Sequence, residues 1–366
     1  MSKTGDVSLT PEVKSIFKKV SRTLYLSVNI LPNTAKEAIA VAYLFCRALD
    51  SVIDSVQIKS PDKEIFLADF RKVFDSLQKP ACRNASVGRE QVFKKMECLC
   101  SAVPAAADRE LLHSFKEVLE VYEKLPENFR RMIFEAVGGV TEGMKMDLKF
   151  FGDAGAGTAS VRALKTAQDL EKYCSFIGGA PGVFWTRVYL DILRMKKLKL
   201  GKVLFEEDGK VIGEALQITN IIKDLAEDLR RGRCYIPESQ LFEKNFLPSD
   251  LLKPDNINRL KPVIYNWIMW AIDRLDTSER FVSSIPKIEL ALRAAVIWPV
   301  YWAMDTLAEA VKTNLLDFSA KPKIKKSRIY STIISTPPLL LSNTAFMRGY
   351  RFRRETLIVS MSAGGI

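Results

Sequence analysis

Two short stretches of the chain place acidic residues at helical spacing. Asp50 and Asp54 stand four apart in RALDSVIDS, and Asp224 and Asp228 stand four apart in NIIKDLAEDLRRGRCYIP, with Glu227 between them. On a helix such positions share a face about one turn apart, and like charges there repel by about 0.2–0.5 kcal/mol unless something neutralises them. Arg230, Arg231 and Arg233 follow the second set directly. Two readings fit this pattern: a solvated, salt-bridged helix end, or a metal site beside an anion site. Mg2+ takes one or two protein carboxylates, keeps some waters and completes its shell with phosphate oxygens. Two such faces opposed across a helical bundle would hold Mg2+ together with one or more diphosphates, and would stabilise the charge on a departing diphosphate. Either pair alone is compatible with a solvated face. The first pair, however, ends the most apolar segment of the chain, where unpaired carboxylates are costly to desolvate. Together with the arginines after the second pair, this favours the metal–diphosphate reading.

The elements that must carry these faces are helical. The segment NTAKEAIAVAYLFCRALDSVIDS is apolar almost all round and predicts a central, buried helix. SLTPEVKSIFKKV starts a helix with Thr10 as its cap and Pro11 in the first position. Amphipathic helices are predicted over 63–77, 90–103 and 108–124. PENFRRMIFEAVGGVTEGMKMDLKFF gives another long helix, followed by a mobile Gly/Ala/Ser loop, FGDAGAGTASVRA. Further helices are predicted at 166–194, 205–231, 256–284 and 288–313. No stretch alternates like a strand over any useful length, and no internal repeat is visible. The expectation is one all-α domain over residues 1–315 and a basic C-terminal tail over 316–366, partly ordered or peripheral.

Composition narrows the chemistry. The chain of 366 residues is 48% hydrophobic, enough for a large core. It has six cysteines without CxxC pairing and a single histidine, His113, so zinc clusters and histidine-based triads are poor candidates. The net charge of +12 is uneven: residues 320–366 hold nine Lys/Arg against one acid. Such a tail suits an anionic lipid surface or simple solubility, and it says little about the main domain. Apolar runs are too short to cross a bilayer, and the N-terminal stretch is too polar for a secretory signal. A cytoplasmic protein, at most peripheral to the inner face of a membrane, is expected, with no nucleic-acid partner.

At the level of whole motifs, RALDSVID together with QITNIIKDLAEDLRRGRCYIP resembles the two signature regions of the squalene/phytoene synthases, head-to-head prenyltransferases with an all-α isoprenoid synthase fold. SRTLYLSVNILP, GMKMDL, LEKYCSFIGGAPG and LRAAVIWPVYWAMDTL extend the similarity, in order, over roughly residues 15 to 313. The resemblance implies a single-domain helical bundle around a central apolar cavity, with the acidic faces opposed across it. It implies Asp50, Asp54, Asn220, Asp224 and Asp228 as metal ligands. Arg22, Arg47, Gln217, Asn220 and Arg233 would lie near the diphosphates, with Arg230 and Arg231 as weaker candidates. Tyr173 would stand near the reacting carbons, in proton removal or charge steering. Tyr25 and Phe45 would wall the hydrocarbon tunnel, and Gly178 and Gly179 would permit close approach of substrate or backbone.

The implied reaction joins two farnesyl diphosphates with Mg2+ through a cyclopropylcarbinyl diphosphate, which is rearranged to a linear product. Squalene synthases quench the last cation with hydride from NADPH; phytoene and dehydrosqualene synthases lose a proton instead. YLFCRALDSVID is closer to the squalene synthase form, although Ile53 stands where those enzymes usually carry Glu and Pro181 where a small aliphatic residue is usual. The alternatives are a phytoene or dehydrosqualene synthase, and a non-catalytic family member serving as a membrane assembly partner.

Overall fold

Thr10 and Pro11 open the first helix as expected: the Val13 N–H donates to Thr10 Oγ1 at 3.2 Å. The computed structural model describes residues 8–21, 23–77, 85–152, 161–193 and 200–363. These form α1 (Pro11–Ser21), α2 (Thr23–Asn29), α3 (Asn33–Ile53), α4 (Ser60–Ser76), α5 (Ala85–Cys100), α6 (Ala106–His113), α7 (Phe115–Lys124) and α8 (Glu127–Phe151). The second half contributes α9 (Ala167–Cys174), α10 (Ala180–Leu193), α11 (Lys202–Arg230), α12 (Glu238–Phe242), α13 (Ile257–Leu275), α14 (Ser278–Ser284) and α15 (Leu290–Lys312). Three more helices, α16 (Lys326–Ile334), α17 (Thr336–Leu341) and α18 (Asn343–Ala363), close the described chain. The all-α expectation holds, and most of the Gly/Ala/Ser loop after α8 lies outside the described residues.

The inner layer consists of α3, α8, α10 and α11. Helix α8 packs on both α3 and α10, while α11 packs on α10, α13 and α15. Apolar residues on nearly every side of α3 explain its central place: Ala38, Val41, Leu44, Phe45, Ala48, Leu49 and Val52 are wholly buried.

Glycines fix the approach of α11. A Cβ on Gly178 would fall 2.2 Å from the Gly213 carbonyl oxygen, and one on Gly182 2.2 Å from that of Gly209. Backbone therefore meets backbone here, a contact only glycine allows. The helix predicted over 166–194 is interrupted by a wide π-turn, Ser175–Gly179, between α9 and α10. Pro181 follows directly. It cannot donate to the carbonyl four residues back, and the wider turn gives its ring room.

The C-terminal stretch is less peripheral than its charge suggests. Helix α18 lies on α15 and buries Phe346, Tyr350 and Leu357. The Tyr301 hydroxyl donates to the Phe346 carbonyl at 2.8 Å. Among the described residues no helix is long and apolar enough to cross a membrane.

Candidate active site

Helix α3 is buried on every face except one stripe. Tyr43, Cys46, Arg47, Asp50 and Asp54, successive along one helix face, are half-buried while their neighbours are closed off. The Asp50 side chain keeps 42% of its surface accessible. Burial, and then the neighbouring Asp54 carboxylate, push Asp50 up to about 7.

Arg47 is held in place by a fork. Its Nε and Nη2 donate to the two carboxylate oxygens of buried Asp108 on α6, at 2.9 and 2.7 Å, leaving Nη1 to reach Asp50 at 2.9 Å. A bidentate pair of this kind fixes the plane of the guanidinium.

The second acidic face arrives from α11. Its end is set by Gly232, whose φ of +77° is open to glycine and costly for other residues. The chain then turns into a two-residue parallel bridge: Arg162 pairs with Arg233 and Ala163 with Cys234, with the Arg162 N–H donating to the Gly232 carbonyl at 2.9 Å. So short a strand leaves no alternating pattern to read in the sequence. The bridge aims Arg233 back at α3, where its Nη1 lies 2.6 Å from Asp54 Oδ1; Arg231 reaches the other Asp54 oxygen at 3.6 Å. Burial alone would lower the Arg233 guanidinium, but the Asp54 charge overrides this and keeps it firmly protonated.

The two faces confront each other electrostatically. Burial, then Asp224 on its own helix, then Asp54 on α3 push Asp228 up to about 8. The Lys321 ammonium lies 2.5 Å from Asp224 and 2.9 Å from Glu227. Lys223 approaches Asp224 at 3.2 Å and donates to the exposed Asn220 side-chain oxygen at 3.0 Å. Gln217, half-buried one turn earlier, packs where α11 crosses Gly178.

A third carboxylate joins from α8. Asp147 is 7% exposed; burial pushes it up to about 7, with Asp54 also raising it and Arg233 and two phenols opposing. The Tyr235 hydroxyl donates to Asp147 (3.1 and 3.2 Å to its two oxygens), and the Tyr173 hydroxyl lies 3.2 Å from both Asp147 and Tyr235. Burial, and then the Asp147 charge, raise both phenols well above their ordinary range. Tyr173 therefore stands as a neutral hydrogen-bond donor.

Several expectations need correction or qualification. Phe45 has no accessible surface. Its ring packs among Phe70, Phe74, Phe115 and Tyr122 on the face of α3 opposite the carboxylates, so it is core and not tunnel wall. Tyr25 is half-buried against the Phe17 ring at the α1–α2 corner. Arg22 lies outside the described residues. Arg230 stacks on the Phe318 ring at 3.9 Å. Ile53 is 1% exposed and belongs to the core.

Asp147, Tyr235, Asp108 and Lys321 were not singled out from the sequence. Asp147 left a signal: it is an acid within the buried stripe Gly143, Met144, Asp147, Leu148, Phe151. Tyr235 sits two residues past Arg233. Nothing local marks Asp108 or Lys321.

The donor set suits a hard divalent cation: carboxylate and amide oxygens, with Asp50 and Asp228 raised by burial and neighbouring carboxylates, a strain that a metal's charge relieves. Among the described residues no three His, Cys, Asp or Glu side chains group tightly enough to cage an ion. Mg2+ needs only one or two protein carboxylates when phosphate oxygens complete its shell. Asp50 and Asp54 on one side and Asp224 and Asp228 on the other fit that role.

Known proteins resemble this chain in sequence and in fold. The squalene synthase of Schizosaccharomyces pombe is 24% identical over 329 residues, 90% of this chain and 65% of that protein. The 15-cis-phytoene synthase of Synechocystis is 23% identical over 295 residues, 80% of this chain and 72% of that one. The chain spans less than two thirds of the first relative's length, and 51% of the squalene synthase of Mycosarcoma maydis. The solved structure described as "The complex structure of TcSQS with ligand, E5700" superposes with a TM-score of 0.72 at 18% identity, covering 99% of this chain and 100% of that one. A dehydrosqualene synthase in complex with ligand gives 0.58 at 19%, over 92% and 96%. Both likenesses are of fold, the all-helical isoprenoid synthase fold. The family described as Squalene/phytoene synthase matches across residues 17–328, and this chain belongs to it.

Proposed function

We propose that this protein condenses two farnesyl diphosphates head to head, through a cyclopropylcarbinyl diphosphate, to squalene, with NADPH as the hydride donor. The observation that carries the reading is the Arg233–Asp54 contact of 2.6 Å, which joins the end of α11 to the end of α3 with the Asp228 and Asp50 carboxylates beside it. Mg2+, bound by these carboxylates, would supply the charge that lets a diphosphate leave.

The residues themselves do the rest. Arg233 and Arg231, both turned toward Asp54, present guanidinium forks whose planar donors match diphosphate oxygens. Arg47, immobilised by Asp108, offers its remaining nitrogen from the opposite side. Asp147, hydrogen-bonded to two neutral phenols, places negative charge beside the site, where it would stabilise an allylic or cyclopropylcarbinyl cation. The apolar surroundings of α3 and α8 keep water from trapping the cation.

The RALDSVID form supports the squalene product. A second reading, phytoene or dehydrosqualene synthesis without reductant, is favoured by one feature: the Asp147 carboxylate beside Asp54 and Arg233 offers a base. Incubation with farnesyl diphosphate and Mg2+, with and without NADPH, tests both. The proposal expects squalene when NADPH is present and stalled cyclopropylcarbinyl diphosphate when it is absent. A conjugated triene as the final product in both cases contradicts it. No turnover of any C15 or C20 diphosphate by folded protein points to the non-catalytic alternative.

A further inference from the structure

Lys321 approaches the second acidic face from far along the chain, in the connection between α15 and α16. Its ammonium sits 2.5 Å from Asp224 Oδ1 and 2.9 Å from Glu227 Oε2. The connection is ordered by its own contacts. The Asn314 side chain donates to the Pro254 carbonyl at 3.1 Å and accepts from the Leu316 N–H at 3.1 Å. Ser319 donates to Asp317 from both its N–H and its hydroxyl at 2.8 Å. Phe318 lies under the Arg230 guanidinium, and Leu315 and Leu316 are buried. The segment therefore delivers one positive charge to Asp224, a carboxylate that a divalent cation would use, and to its neighbour Glu227.

We propose that Lys321 is a placeholder cation: it neutralises Asp224 and Glu227 in the metal-free protein, is displaced by the metal, and then serves as a ligand of the substrate's diphosphate. This rests on reading the acidic faces as a metal–diphosphate site. Two properties make the exchange feasible. The Lys321 side chain is 46% accessible, so its long flexible stem can swing without breaking core contacts. A half-exposed ion pair is also weak enough for a divalent ion to displace. The role adds a diphosphate-positioning residue from outside the two acidic motifs, and it makes metal binding and diphosphate binding depend on the same side chain in opposite senses.

The test measures two affinities in wild type, Lys321→Gln and Asp224→Asn: Mn2+ alone, followed by the spin-resonance signal of the free ion, and inorganic diphosphate in the presence of Mg2+, followed calorimetrically. The Asp224→Asn variant identifies the Mn2+ site. Lys321→Gln is expected to bind Mn2+ about two- to fivefold more tightly, because the competing ammonium is gone, and to bind diphosphate more weakly by a similar factor. An Mn2+ affinity that is unchanged or reduced, or a diphosphate affinity that is unchanged or increased, overturns the placeholder role. If Asp224→Asn binds Mn2+ as wild type does, the acidic-face reading itself falls and this inference falls with it. If Asp224→Asn loses the ion and Lys321→Gln does not gain, only the inference about Lys321 is lost.

Discussion

The guanidinium of Arg233, three residues beyond the end of α11, rests 2.6 Å from the carboxylate of Asp54, which caps α3. These residues are 179 positions apart in the chain. Their contact closes the end of the site where both acidic motifs and the tyrosine pair converge. Replacing Arg233 by Lys keeps the charge but loses the fork, which is not conservative where bidentate contact matters. Turnover of farnesyl diphosphate by Arg233→Lys should fall by about tenfold or more, with Arg233→Met lower still. Equal rates for Arg233→Lys and wild type would count against a role in gripping diphosphate.

The raised carboxylates predict a pH dependence of stability. Asp50 and Asp147 stand at about 7 and Asp228 at about 8, against about 3.9 for an exposed aspartate. The folded protein therefore holds protons that the unfolded chain has released, so stability falls as pH rises from about 4 to about 8. In chelator, the melting temperature should drop between about pH 5.5 and about pH 8, and Asp228→Asn should flatten the drop. A melting temperature that climbs over this interval would contradict the assignment.

Tyr173→Phe removes one hydroxyl but leaves Tyr235 hydrogen-bonded to Asp147. A net hydrogen bond contributes about 0.5–1.5 kcal/mol, so the fold should survive with a small loss of stability. If Tyr173 steers a cation, the products should shift toward stalled or hydrolysed intermediates more than total consumption of substrate falls. Product analysis by mass spectrometry separates the outcomes, and an unchanged product spectrum would leave Tyr173 with a packing role.

Gly178 meets the Gly213 carbonyl with no room for a side chain. Gly178→Ala should force α11 away from the π-turn and cost about 1–3 kcal/mol, as overpacking does. Because α11 carries Asp224 and Asp228, activity should fall along with the melting temperature. Wild-type stability in this variant would show that the crossing is looser than the structure gives.

Phe45→Ala separates core from wall. As a core change it should cost about 3–5 kcal/mol and lower the melting temperature sharply. Below that temperature, KM and product should stay as in wild type. A changed product chain length would return Phe45 to the tunnel.

Much of this was legible from periodicity. The apolar girth of α3 required burial, and the four-residue spacing of its aspartates put them on one stripe. The cap at Thr10 and the helices carrying both motifs follow from local rules that the folded chain obeys. What stayed hidden depends on contacts between distant segments. A two-residue bridge at Arg162–Ala163 and Arg233–Cys234 is too short to alternate, yet it aims Arg233. Phe45 was misplaced because an aromatic five residues before the first aspartate looks the same whether it faces substrate or core; the helix phase puts it opposite Asp50 and Asp54. The C-terminal stretch advertised its lysines and arginines, while Phe346, which packs on Tyr301 of α15, and Tyr350, whose hydroxyl donates to Asp276, stood out less than the charge around them. Lys321 was counted as one basic residue among nine, and only the fold brings it to Asp224.

The central claim is that carboxylates on two different helices act on one metal-bound diphosphate. Calorimetric titration of inorganic diphosphate with Mg2+ into wild type, Asp54→Asn and Asp228→Asn tests it most directly. The account predicts Mg2+-dependent binding by wild type and a loss of at least about tenfold in each variant, from α3 and from α11 alike. Wild-type affinity in either variant, or binding that does not need Mg2+, would contradict it.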